Sequence, residues 1–130
     1  MTASLEPGSE LAELHVTPER YVTQRYAGAS GDFNPIHIDD EFAREVGLPG
    51  RILHGLYTMA LVARAQTQAA GGPDKLKRLT VQFRGPGVPE QEIVVSSKVL
   101  EVRDGRTVLS ATATQQGKAL IRNAGVELER

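Results

Sequence analysis

The chain has 130 residues, enough for one domain with its own core and cramped for two, so a single domain over 1–130 is expected. Apolar residues make up 40% and charged residues 24%, a globular composition. Fifteen Lys and Arg stand against sixteen Asp and Glu with no long run of either sign, which argues against nucleic acid or an anionic membrane as a partner.

Without cysteine there are no disulfides, thiolate zinc sites or cysteine nucleophiles, and a cytoplasmic setting fits. The start, MTASLEPGSE, has no basic stretch followed by an apolar one, so no secretory signal is expected. The most apolar stretch, LYTMALVARA, is interrupted at Arg64, far short of the roughly 20 residues a membrane helix needs.

In chain order, ELAELHV spaces Leu11, Leu14 and Val16 in imperfect alternation and predicts a short first strand. Thr17 as cap, Pro18 at the first position and Glu19 in the first turn predict a helix with Tyr21, Val22, Tyr26 and Ala29 on one face. Gly28 and Gly31 supply its stop signals. A second short helix is predicted after Asp39, with Phe42 and Val46 four apart and Gly47 as terminator. The longest helix is predicted from Leu56 to about Ala70, ending at Gly71-Gly72-Pro73 and apolar on most sides, hence enclosed. Strands follow: LTVQF at 79–83, a break at GPGVP, then EIVVSSKVLEV and TVLSATATQQ joined through Asp104-Gly105. A turn at Gln116-Gly117 leads to ALIRNAGVEL. Four or five antiparallel strands and one long helix predict an α+β domain with its sheet curled over the helix.

The chemistry concentrates in SGDFNPIHID, residues 30–39. Pro35 removes a donor and pushes Asn34 out of helical conformation. Fully extended, this spacing would put Asp32 and His37 roughly 16 Å apart, so they act together only if the loop curls. Either they are ordinary turn residues, or the turn brings a carboxylate and an imidazole within reach of one water, where they share acid and base work. Asn34 either orients that water or caps an Asx-turn. In LHGLYT, Gly55 opens the long helix, so its amide is an unpaired donor suited to a developing oxyanion, or the glycine merely allows a tight turn. His54 beside it reads as packed or hydrogen-bonded. Asp39, Asp40 and Glu41 read as solvated residues at a helix start, and the histidine spacing gives no zinc pattern. Lys75, Lys77 and Arg78 form a basic edge that either meets carrier phosphates or is merely wet.

Together, YAGASGDFNPIHID and GRILHGLYTMAL resemble the hydratase motif of the MaoC-like dehydratase family, the (R)-specific enoyl-thioester hydratases. The PGSEL start and VQFRGPGVP also look like family landmarks, so the likeness covers nearly the whole chain. The resemblance implies a hot-dog fold, a sheet of about five strands wrapped around the long helix. It implies syn addition of water to a trans-2-enoyl thioester, giving the (3R)-hydroxyacyl thioester. By position, Asp32 and His37 would hold and activate the water, Gly55 would offer its amide to the thioester carbonyl, and Asn34 and His54 would support the site. No metal or redox cofactor is implied; coenzyme A or acyl carrier protein arrives as part of the substrate. A homodimer or higher homo-oligomer is implied, with a heterodimer as the alternative.

The chain departs from the family pattern twice: Ala63 stands where some members carry Ser, and VPEQ replaces the usual Pro-Gly-Asp. A thioesterase of the same fold and a non-catalytic scaffold subunit are the rival readings. Residues 47–73 lack the helix acid that many such thioesterases use. A scaffold subunit should have lost Asp32 or His37.

Overall fold

The computed structural model describes residues 5–130, so part of the reading of the amino terminus lies outside the described residues. Strand β1 (Leu14–Val16) leads to helix α1 (Val22–Ser30), a short 3-10 turn (Pro35–His37) and the short α2 (Asp40–Glu45). Helix α3 (Gly55–Ala70) follows, then β2 (Leu76–Thr80), β3 (Ile93–Arg103), β4 (Arg106–Gln115) and β5 (Lys118–Glu129). The five strands form one antiparallel sheet in the order β1-β3-β4-β5-β2, with α3 packed against β2, β3, β4 and β5. This is the α+β arrangement the sequence pattern predicts, and the hot-dog fold that the family resemblance implies.

Alternation builds the inner face of the sheet. In β4 every second residue from Thr107 to Gln115 is buried, as a strand with one face on a core requires. Leu61, Val62 and Ala65 of α3 share a core with Ile93, Val95 and Val99 of β3, Leu109, Ala111 and Ala113 of β4, and Ala124, Val126 and Leu128 of β5. One buried polar pair interrupts it, the Gln66 amide donating to Ser97 Oγ at 2.7 Å. The two hairpins turn at Asp104-Gly105 (φ 50° and 73°) and Gln116-Gly117 (φ 52° and 75°), the left-handed pairs that match strand twist.

Four expectations need correcting. Helix α1 begins at Val22 rather than after Thr17, because the Pro18 carbonyl is taken by the Glu90 amide at 2.7 Å and cannot start a helical ladder. Its buried face is Thr23 and Ala27, with Tyr21 exposed, and Gly31 rather than Gly28 ends it, at φ 80°. The long helix is not enclosed all round: Leu56, Ala60, Arg64 and Gln68, one per turn, form an exposed stripe, because the sheet covers only the other side. The strand expected over 79–83 ends at Thr80, and beyond it only Phe83 bridges Ile121. Its partner explains this, since β5 carries an extra residue around Arg122-Asn123 that throws the two strands out of register.

Candidate active site

Helix α1 ends in a left-handed Gly31, and the chain then reverses through a set of side-chain caps. Ser30 Oγ donates to the Tyr26 carbonyl at 2.7 Å and accepts from the Asp32 amide at 3.2 Å. Asp32 Oδ1 accepts from the Asn34 amide, and Asn34 Oδ1 from the Ile36 amide, both at 3.2 Å. These are Asx-turns, and with Pro35 they wind residues 35–37 into the 3-10 turn that swings His37 back. The two oxygens of Asp32 divide the work. Oδ1 holds the turn, while Oδ2 stands 3.8 Å from His37 Nε2. Asn34 takes the turn-forming alternative, and its exposed side chain supports the loop.

His37 is only 7% exposed, and its Nδ1 lies 2.8 Å from the Ile52 carbonyl. A carbonyl only accepts, so Nδ1 carries a proton and donates it there, which turns Nε2 toward Asp32. The 50–54 segment that supplies this carbonyl is itself clasped. The Arg51 amide donates to Asp40 Oδ1 at 2.8 Å and Arg51 Nη1 to Oδ2 at 3.0 Å, while Nη2 donates to the Arg20 carbonyl. Asp39 caps α2, accepting from the Glu41 and Phe42 amides. Asp40 is therefore not simply solvated; the Arg51 amide, then its charge, holds its carboxyl below the ordinary value.

His54, 3% exposed, stacks on His37 with ring centres 3.8 Å apart and planes 18° apart. Its Nε2–H donates to the Asp32 carbonyl at 3.0 Å, so His54 braces the backbone of one site residue and the ring of the other. Tyr26 packs on it with centroids 4.7 Å apart, and Tyr57, whose phenol is pushed up by burial, meets Tyr26 edge-on. Next in the chain, Gly55 opens α3, and among the described residues no acceptor takes its amide. The Phe83 ring lies over it: a Cβ at Gly55 would stand 3.0 Å from Phe83 Cε1. The Asp32 carboxyl and His37 Nε2 thus face each other, and the free helix-start donor follows directly on the histidine stacked against His37.

The model of the MaoC like domain matches residues 6–119. The chain belongs to the MaoC-like domain family. Over 95 residues it is 39% identical to a fatty acid synthase subunit beta of Aspergillus oryzae, covering 71% of this chain and 5% of that one. Over 119 residues it is 32% identical to a peroxisomal hydratase-dehydrogenase-epimerase of Neurospora crassa, covering 91% of this chain and 12% of that one. The chain therefore spans only a small part of these relatives. Among solved structures, an R-hydratase from Pseudomonas aeruginosa matches with TM-score 0.83 and 28% identity, over 95% of this chain and 81% of that one.

Within this MaoC-like chain, three further residues belong to the site's surroundings and were not singled out from sequence. Tyr26 was placed only on one face of its helix and at the head of the motif, and Phe83, here 53% exposed, only in a strand. Ile52 contributes through its backbone, which no side-chain pattern reveals. Asp32, His37 and His54 offer donor atoms within 4.8 Å of one another, although their sequence spacing suggests no metal pattern. The two imidazoles lie in near-parallel planes, so their lone pairs do not converge on one ion. The basic edge after α3 is largely self-neutralised, with Lys75 3.7 Å from Glu129 and Arg78 3.8 Å from Glu127. Among the described residues, no helix is long and apolar enough to cross a membrane.

Proposed function

We propose that this MaoC-like domain catalyses the reversible hydration of trans-2-enoyl thioesters of coenzyme A or acyl carrier protein to (3R)-hydroxyacyl thioesters. The observation that carries this reading is the 3.8 Å approach of Asp32 Oδ2 and His37 Nε2. With Nε2 unprotonated in the working form, the pair suits a ligand that gives a hydrogen to each, and water does so while keeping a lone pair for attack. In the forward direction the water oxygen bonds to C3 as its proton passes to Asp32. The C2=C3 π electrons move toward the thioester carbonyl. The Gly55 amide, assisted by the amino-terminal end of α3, donates a hydrogen bond to the oxygen on which that enolate-like charge develops. The proton then reaches C2, through His37 and the same face, which gives syn addition. Dehydration is the reverse.

His54 keeps both partners in place and Asn34 keeps the turn. The reaction as read here needs no metal or redox cofactor. The names of the matched hydratase-dehydrogenase-epimerase and R-hydratase support this chemistry, and α3 offers no acid for the thioesterase alternative. We place the working unit as a homodimer or higher homo-oligomer, a heterodimer being the other arrangement. The deciding experiment is hydration of trans-2-enoyl-CoA substrates of rising chain length by the purified chain, beside Asp32→Asn. Stereospecific formation of the (3R) product, lost in the variant, is expected. A folded Asp32→Asn protein with the parent rate overturns the assignment.

A further inference from the structure

The bulge in β5 produces a second concentration of functional groups, on the face opposite the core. Residue Ala111 pairs with Ala124 and Ala113 with Ile121, so Arg122 and Asn123 together oppose Thr112. Two consecutive side chains, both exposed, therefore point outward where a regular strand would send one of them in. Asn123 sits at φ 54°, a left-handed conformation uncommon inside a strand. Across from them, Phe83 bridges Ile121, which fixes the neighbours: Gln82 stands opposite Arg122, and Arg84, whose amide donates to the Leu120 carbonyl, lies diagonal to it. Arg84 donates to the Gln82 side chain.

Thr80, Val81, Gln82, Arg84, Arg122 and Asn123 line a recess of about 390 Å³. It contains two guanidinium groups, two side-chain amides and a hydroxyl, and no acid. Among the described residues neither arginine forms an ion pair with a carboxylate, unlike Arg25, Arg51, Arg78, Arg103, Arg106 and Arg130. The other arginine-rich recess, around Arg20, Arg44 and Arg51, holds Asp40 and Glu90 as well. An acid-free pair of arginines flanked by amide donors is the chemistry that recognises phosphate.

Its place in the fold gives the phosphate a source. Phe83, which covers Gly55, is the residue between Gln82 and Arg84, in the segment that continues beyond the end of β2 at Thr80. We propose that Arg84 and Arg122 bind the phosphate of the pantetheine carrier on the thioester substrate. The acyl end lies at Gly55, and the flexible arm rounds the edge at residues 81–84. The proposal rests on the hydratase reading and adds to it a residue-level account of how the carrier is held.

The test compares three thioesters with the same enoyl group. The N-acetylcysteamine thioester has no phosphate, the phosphopantetheine thioester has the one that coenzyme A and carrier protein share, and the CoA thioester has all of them. Arg84→Gln and Arg122→Gln should each raise the ratio of KM for the CoA thioester to KM for the N-acetylcysteamine thioester by roughly threefold to tenfold, the range for exposed charge-assisted contacts. Added salt should raise the same ratio in the parent protein and less in the double variant. A matching rise with the phosphopantetheine thioester assigns the recess to the shared phosphate; a rise with the CoA thioester alone assigns it to the nucleotide end. If the parent hydrates every thioester and the variants leave the ratio where it was, the arginine assignment falls and the hydratase reading stands. If the parent hydrates none of them, the hydratase reading falls first.

Discussion

At the scale of single residues, the site is economical because Asp32 does two jobs with two oxygens. Replacement by Asn keeps an acceptor where Oδ1 holds the turn and puts an NH₂ donor where Oδ2 faces His37. Asp32→Asn should therefore fold normally and lose about 10²–10⁴ in kcat, the usual worth of positioned acid–base chemistry. Asp32→Ala should lose stability as well, and thermal unfolding beside steady-state kinetics separates the two effects. His54 offers a sharper distinction between bracing and mere packing. Gln reaches to the position of Nε2 and keeps the donor to the Asp32 carbonyl, whereas Leu fills the space without it. His54→Gln should retain most of kcat, and His54→Leu should lose about tenfold or more with little change in KM. Equal rates for the two variants would reduce His54 to a space-filler.

At the scale of elements, the segment from Gly50 to Gly55 delivers the Ile52 carbonyl, His54 and the free amide in succession, and the Asp40–Arg51 clasp holds its start. Because the folded Asp40 carboxyl titrates below its ordinary 3.8, the clasp contributes stability above that value and loses it as the pH falls through the lower folded one. The Asp40 side chain is 42% exposed, so the effect is modest. Asp40→Asn should cost about 0.5–1 kcal/mol at neutral pH and flatten the acid limb of stability below pH 4, which denaturant titrations across pH 2.5–7 would register. The hairpins, the long helix and its final glycine were legible in the sequence because each depends on local chemistry: left-handed turn pairs, alternation, and a helix stop. The start of α1 and the end of β2 were not, because each is decided by a partner distant in sequence, Glu90 in one case and the β5 bulge in the other. The same division runs through the site. Asp32, His37 and Gly55 stood out as candidates with turn roles as the alternative, and the resemblance to the hydratase motif gave them their roles, while the stack of His37 on His54 joins positions seventeen apart that only the fold brings together.

At the scale of the whole molecule, β2 is an edge strand with unpaired backbone on one side, and Leu56 and Phe83 expose apolar surface beside the site. Edges and patches of this kind are normally covered. Sedimentation of the active protein should give at least twice the mass of one chain, and a monomer that hydrates substrate at the full rate would contradict the oligomer proposed above. If the reaction uses only water and side chains, a strong chelator should leave the rate unchanged over hours. A loss restored by added zinc would instead implicate the Asp32, His37 and His54 donors as ligands.

The bulge at Arg122-Asn123 has a further consequence, for the tolerance of this chain to insertion and deletion. Just before it Ile121 faces the core and after it Ala124, Val126 and Leu128 do, so the parity of the strand changes from odd to even across this bulge. Removing a single residue here would force a choice between restoring regular pairing and keeping the last three apolar side chains in the core. Substitution at 122 or 123 alters what the outer face presents, whereas a change of length rewrites the inner one. Position 122 can therefore vary in chemistry while the segment stays fixed in number, and position 123, held at φ 54°, keeps to the few residue types that accept a left-handed backbone.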